Sequence, residues 1–319
     1  MYHIITNPVA GRGRSMQYQS QLVATLKEYS LECTTHVTEK PKDGYIFVKQ
    51  IYEQFPNCKG IIGIGGDGTI QEIVAALAEL TCNGEKIPIP LGIFPGGSGN
   101  DFAMTIEGGK AAYKKKYKKN MAAITKTLVE RISANNTRTV DLITANGEAY
   151  LVAANIGLDA RIVHNAIKYK PKYGGQAYLV AAYKSIMQHK NIPLQISVID
   201  NGVIKENNHI KDYTLIAVCN NRTYGGGLCI APPAKFDDGK ITLCTVDGLS
   251  RPKLGVLFPS LLVEKHAKLK EINFIECTEV RITLPPGLNT EKLCMDGNLF
   301  PVEGEIHFKI LPQVLDVFA

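Results

Sequence analysis

The sequence predicts an α/β domain built on a parallel, doubly wound sheet over residues 1–138, followed by an antiparallel β-sandwich domain over 139–304. Three observations carry this. In the first part, apolar stretches of strand length alternate with stretches of helical period, the pattern of a parallel sheet with crossover helices. Three of those strand-like stretches run straight into turns of small residues, at 7–11, 65–69 and 96–101. From Thr139 the texture changes to short apolar runs separated by turn residues, which argues a sandwich. The length of 319 residues also exceeds what one core usually serves.

Residues 2–6 read as the first strand, and 7–15 as a turn with basic side chains leading into a helix over 17–29. A strand over 33–38 and a helix over 43–55 follow. The stretch 60–80 organises the rest. Ile61, Ile62 and Ile64 suit a buried strand; Gly63, Gly65, Gly66 and Gly68 crowd a turn around Asp67; then Ile70, Ile73, Val74, Leu77 and Leu80 take helical spacing. Strand, glycine turn and helix together place backbone N–H groups at the positive end of a helix dipole, a corner suited to phosphate. A strand over 88–94 leads into Pro95-Gly96-Gly97-Ser98-Gly99-Asn100-Asp101. In an open parallel sheet such turns gather at the carboxyl edge, where ligands bind. A helix over 121–132 completes the domain.

In the second part, strands are expected at 140–144, 150–156, 194–199, 213–218, 240–246, 279–284 and 306–310, with helical pattern only near 175–190 and 252–270.

The formal net charge of +6 permits anionic partners without demanding them. The lysine-rich run over 110–119 reads as a solvated helix face, the alternative being a lip on anionic lipid headgroups. No apolar run is long enough to span a bilayer, and the opening residues lack the pattern of a signal peptide. The eight cysteines include no C-x-x-C pair and no histidine at zinc spacing, so buried free thiols in a reducing cytosol are expected.

Gly63-x-Gly65-x-x-Gly68 fits the dinucleotide fingerprint, but the acid expected about 20 residues on is replaced by Phe94-Pro95-Gly96-Gly97. No G-x-x-x-x-G-K-[ST] phosphate loop occurs. The combination is more specific than its parts. The Asn7-Pro8-x-x-Gly11 turn, Gly65-Gly66-Asp67-Gly68-Thr69, the segment from Gly96 to Ala103, Asn220 and Asn221 before Gly225–Gly227, the stretch from Pro232 to Gly239, and Met295-Asp296-Gly297 resemble the diacylglycerol kinase catalytic family, which belongs with sphingosine kinases and, more distantly, NAD kinases. The resemblance covers essentially the whole chain and is closest to the soluble bacterial lipid kinases.

That resemblance implies a Rossmann-like first domain to which residues 305–319 return. It implies ATP, with phosphates held by Gly66, Asp67, Gly68, Thr69, Ile70, Gln71 and Glu72 and the site completed by Asn7, Pro8, Val9, Ala10, Gly11, Thr38 and Ser98. Asp67 is the natural carboxylate to act on Mg²⁺, directly or through water. Glu72 either orients the turn or is a solvated helix acid. A structural metal site is implied at Asp238 with the carbonyls of Lys235 and Lys240, an oxygen set that suits Mg²⁺. Asp237 and Asp238 also suit a plain turn. Asp296 is the expected proton acceptor for a lipid hydroxyl. The family reads Asp-Gly-Glu there, whereas this chain has Asn298, which cannot take a proton. Asp296 alone serves, or the substrate differs, or turnover is slow or absent. Gln71 in place of the family's asparagine keeps the amide. Val152 to Ile156, Leu158 and residues 173–183 are candidates for an apolar acceptor slot, although apolar residues at such positions are more often core.

The expected partners are ATP and a lipid alcohol, with diacylglycerol the default acceptor, and a transient membrane-surface contact from the cytoplasm. A homodimer stays open, and nucleic acid is not expected. NAD kinase and a catalytically weak nucleotide-binding protein are the alternatives.

Overall fold

The computed structural model describes residues 1–80, 85–118, 120–173, 176–207, 209–262, 264–288 and 291–319. Cys82 and Lys119, both singled out above, lie outside the described residues, as do Gly174 and Gly175 of the 173–183 stretch. In chain order the first elements are β1 (Tyr2–Thr6), α1 (Ala10–Gly13), α2 (Ser15–Glu28), β2 (Cys33–Val37), α3 (Asp43–Gln54), β3 (Gly60–Gly65), α4 (Asp67–Ala78), β4 (Leu91–Pro95), α5 (Asp101–Ile106), α6 (Lys110–Tyr117) and α7 (Met121–Ser133). Then come β5 (Thr137–Ala145), β6 (Glu148–Tyr150), β7 (Ala153–Gly157), α8 (Leu158–Tyr173), α9 (Ala177–Met187), β8 (Ile192–Asp200), β9 (Val203–Asn207), β10 (Lys211–Cys219), β11 (Thr223–Tyr224), β12 (Leu228–Cys229), β13 (Ile241–Asp247), α10 (Arg251–Leu262), β14 (Ile272–Cys277), β15 (Glu279–Thr283), β16 (Lys292–Met295), β17 (Asn298–Pro301) and β18 (Glu305–Phe318).

The chain forms two compact units. The first comprises Met1–Leu142, Gly225–Gly227 and Leu311–Ala319; the second comprises Ile143–Tyr224 and Leu228–Ile310. The excursion of three glycines into the first unit has no counterpart in the division expected from the sequence.

In the first unit β2, β1, β3 and β4 lie side by side, all parallel, and the end of β18 joins next to β4 with Val317 opposite Leu91. Period-two alternation sends Ile4, Ile62 and Ile64 to one face, where they pack with Tyr18, Leu22 and Leu26 of α2 and with Leu128 and Ile132 of α7. On the other face α4 lies directly on the sheet. A Cβ at Gly63 would meet Ile70 at 2.7 Å and Ile73 at 2.9 Å, so the bare strand at Gly63 is what lets this helix sit so close.

The second unit is antiparallel. One layer runs β17–β16–β7–β10–β13–β14, and in the other β9, β8, β15 and the first part of β18 are neighbours. Inward residues of both layers, among them Ile156, Ile196, Ile216, Leu243, Val280 and Phe308, share one core.

Three readings from the sequence are corrected. The expected strand over 150–156 is two strands, β6 and β7, broken at Leu151 and Val152, whose amides bind a side chain (below) and leave the ladder. Helix α8 was not expected, and it follows β7 with Gly157, at φ 103°, as the only turn. The run expected at 306–310 is a strand of 14 residues. Strands β9, β11, β12, β14, β16 and β17 were also unread. Among the described residues seven cysteines are free, and Cys219, Cys229, Cys244, Cys277 and Cys294 are buried. No helix among the described residues is long and apolar enough to cross a membrane.

Candidate active site

The carboxyl edge of the parallel sheet is built from three corners that hold one another. At the first, Gly66 is extended and α4 begins at Asp67; the amides of Thr69 and Ile70 donate to the Gly66 carbonyl at 3.0 and 3.1 Å. Thr69 folds back over Gly65, where a Cβ would lie 2.5 Å from its own. The second corner follows β4. Gly96 N donates to Gly65 O at 2.9 Å, and a Cβ on Gly97 would stand 2.4 Å from the Gly66 Cα. Backbone therefore meets backbone, and only glycine fits at Gly97. Asn100, at φ 58°, closes this turn by accepting from Gly97 N at 2.8 Å and donating to Gly97 O at 2.9 Å.

The third corner carries Asn7, Pro8, Val9, Ala10 and Gly11. Asn7 N donates to Ile64 O at 2.9 Å, its Nδ2 reaches Thr69 Oγ1 at 3.1 Å, and its Oδ1 accepts from Val9 N. The Ser15 hydroxyl donates to Asn7 O at 2.6 Å, with the carbonyls of Pro8 and Ala10 at 3.1 Å. Val9 stands exposed at the tip.

Asp67 sits where the first two corners meet. Its Oδ2 accepts from Asn100 N and its Oδ1 from Asp101 N, each at 2.9 Å. Burial, with the neighbouring Asp101 second, pushes its carboxyl up to about 6. Asp101 in turn accepts from Gly226 N at 2.9 Å and Gly227 N at 2.7 Å, and burial raises its carboxyl as well. Lys110 Nζ donates to Gly226 O at 2.5 Å. These contacts tie Gly225–Gly227 to the first unit. Two buried acids side by side, both shifted upward, fit a divalent cation, which would relieve the repulsion.

The other expected site residues fall as follows. Thr38 is buried and its amide donates to Thr6 O at 2.9 Å, continuing β2. Ser98 is exposed on the second corner. Ile70 and Gln71 are buried, so Ile70 can offer only backbone. Glu72 is half-buried and is directed away from its own turn: its carboxylate accepts from Lys42 N at 2.9 Å and Gly44 N at 3.3 Å, capping the start of α3. Within the lysine run, Lys116 pairs with Glu107 at 2.6 Å, which also accepts from Tyr117 and pairs with Arg131. Sequence reading missed Asp101 as a hub; its partners lie some 125 residues away, and nothing local signals them.

In the second unit, Asp296 is buried at φ 45° between β16 and β17. Its carboxylate accepts from Leu151 N at 2.7 Å, Val152 N at 3.0 and 3.2 Å, and Ala153 N at 2.9 Å. Asn220 Nδ2 holds the same stretch through Leu151 O at 2.9 Å. Asn298 opens β17 opposite Met295. Leu158 and the residues from Val152 to Ile156 are buried, whereas Leu179 and Tyr183 point outward and are exposed. At the turn before β13, Asp238 Oδ1 accepts from Lys240 N at 3.1 Å, and burial raises its carboxyl. The Lys240 ammonium is engaged with Asp200 at 2.6 Å and does not neutralise Asp238. Lys235 is the cation that acts on this carboxylate. A carboxylate with backbone carbonyls beside it in one turn is a set of hard oxygen donors, which fits a hard cation held by Asp238 and the carbonyls of Lys235 and Lys240.

The model of the diacylglycerol kinase catalytic domain matches residues 1–145, and that of the YegS C-terminal NAD kinase beta sandwich-like domain matches residues 152–319. A diacylglycerol kinase from Mycobacterium tuberculosis is 26% identical over 319 residues, covering 98% of this chain and 93% of that protein. A Shewanella frigidimarina protein named at the level of a YegS-like lipid kinase is 25% identical over 297 residues, covering 92% and 87%. The crystal structure of a diacylglycerol kinase from Bacillus anthracis str. Sterne aligns with a TM-score of 0.70 at 21% identity, over 99% of this chain and 96% of that one, which shows the fold. Fold and matches together define a phosphotransferase of the kinase class. The chain belongs to the diacylglycerol kinase family, with its catalytic domain followed by the YegS-type sandwich.

Proposed function

We propose that this protein is an ATP- and Mg²⁺-dependent lipid kinase that transfers the γ-phosphoryl group to a lipid hydroxyl, with diacylglycerol as acceptor and phosphatidic acid as product. The observation that carries the reading is the glycine-on-glycine contact of Gly97 with Gly66 at the start of α4, with Asp67 anchored beneath it. Such a corner gives phosphate close access to backbone and a helix N-terminus. The corner from Asn7 to Gly11, residues Gly66 to Gln71, Thr38 and Ser98 form the nucleotide site. Glu72 contributes by fixing α3 against α4. Asp67 holds Mg²⁺, which would supply charge neutralisation at the transferring group.

Asp296 orients the acceptor hydroxyl and takes its proton. Phosphoryl transfer depends mainly on positioning and charge, so a carboxylate held rigid by amides suffices. Asn298 holds the acceptor by hydrogen bonding only. Asp238 with the carbonyls of Lys235 and Lys240 would hold a structural cation that orders the second unit and does no chemistry. The test is incubation of purified protein with γ-labelled ATP, Mg²⁺ and a total lipid extract, read by mass spectrometry. A labelled phospholipid is expected; label on NAD, or none at all, overturns the proposal.

A further inference from the structure

In the second unit, α8, α9 and the residues that open β16 border a cavity of about 330 Å³. Two cross-links fix its walls. Arg161 of α8 clasps the buried carboxylate of Glu291, through Nε at 3.2 Å and also through Nη2, and its Nη1 donates to Lys190 O at 2.8 Å. Asn165 Nδ2 donates to Oγ of Ser185, which is buried on α9, at 2.9 Å.

The guanidinium of Arg161 and the carboxylate of Glu291 cancel in charge. What is left is positive. Lys190 and Lys292 line the same cavity, and among the described residues no carboxylate lies within ion-pair distance of either ammonium. Further donors stand beside them: the His164 ring, the Gln188 amide, and the Ser185 hydroxyl, which accepts from Asn165 and keeps its own hydrogen to give. Lys190, His164 and Gln188 are exposed, so solvent reaches the cavity. Most ligand pockets are walled mainly by apolar side chains; among the described residues, none of those lining this one is a hydrocarbon side chain.

Two unneutralised cations match a dianion. A phosphomonoester carries about two negative charges at neutral pH and offers three strong acceptor oxygens. The space is that of on the order of ten waters, more than a phosphate group displaces, and its amide walls suit hydroxyl groups on the rest of the ligand. A wall without hydrocarbon side chains gives an acyl chain no seat, so the ligand is one that lives in water.

We propose that this cavity binds a water-soluble phosphomonoester, with Lys190 and Lys292 neutralising the phosphate, His164 and Ser185 donating to it, and Gln188 meeting the hydroxyl groups of its body. The clasp of Arg161 on Glu291 and Lys190 sets the walls before the ligand arrives, which lowers the cost of ordering them. None of these residues belongs to the nucleotide, acceptor or metal sites described above, and binding here requires no turnover.

The test is calorimetry of the full-length protein with glycerol phosphate, inorganic phosphate or glycerol, at neutral pH and low ionic strength. Glycerol phosphate should bind with a dissociation constant under about 1 mM, inorganic phosphate more weakly and glycerol not at all. Lys190→Gln with Lys292→Gln should weaken glycerol phosphate by at least about tenfold, since two charge-assisted contacts are lost. Lys114→Gln with Lys115→Gln removes as much positive charge from exposed positions on α6 and should bind as the wild type does. Melting temperatures close to wild type show that each variant is folded. Flotation with vesicles containing phosphatidate separates a free ligand from a lipid headgroup: the wild type and the Lys190 and Lys292 double variant should float alike. The inference is overturned if the wild type takes up no glycerol phosphate, if the double variant binds it as well as wild type, if the α6 variant loses as much, or if the lysine pair matters only for phosphatidate vesicles.

Discussion

The amide of Leu151 donates to Oδ2 of Asp296 at 2.7 Å, and the next two amides complete the grip. The side chain expected to do chemistry is thus also the one that shapes the break between β6 and β7. Asp296→Ala should leave three buried amides without partners and destabilise the protein by on the order of 3 kcal/mol, read by urea denaturation. Asp296→Asn keeps one acceptor oxygen and should lose less. An alanine variant as stable as wild type would show that this grip is not structural.

Asn298 stands where the family has a glutamate. Asn298→Glu adds a group that can accept a proton, and the initial rate of lipid phosphorylation should rise about tenfold or more. An unchanged or lower rate would mean that Asp296 needs no second carboxylate.

Asp67 gives a pH signature. Its carboxyl is raised from 3.8 to about 6 in the folded protein. Between those values the folded chain holds a proton that the unfolded chain has lost. Stability from this group therefore falls as pH rises through that window, by up to roughly 3 kcal/mol. Asp67→Asn does not titrate, so the stability of wild type relative to the variant should decline from pH 4 to pH 7. A flat difference across that range would refute the shift. The variant should also lose nearly all kinase activity at neutral pH.

Gly97→Ala forces a methyl group into the Gly66 backbone. The two corners must separate, and the affinity for an ATP analogue, measured by calorimetry, should weaken by tenfold or more while circular dichroism stays that of the wild type. Retained affinity would place the phosphates elsewhere.

The glycine corners were readable because each is local: strand, small residues and helix lie within a dozen positions, and parallel pairing brings their ends together. What stayed hidden is what distant parts of the chain impose. Residues 150–156 look like one strand because nothing in them shows that Asp296 draws the amides of Leu151 and Val152 out of the ladder. Helix α8 escaped notice because β7 runs into it through Gly157 alone, so strand and helix patterns merge. Glu72 read as orienting its own turn or as a solvated helix acid because its partners, Lys42 and Gly44, belong to a different helix start.

The hydroxyl of Ser15, closing on the carbonyl of Asn7 with those of Pro8 and Ala10 nearby, has a kinetic consequence. The corner from Asn7 to Gly11 is riveted while the chain folds, not when a guest arrives. Its conformational freedom has already been surrendered, so capture of a ligand there need not wait for a loop to settle, and release need not wait for one to melt.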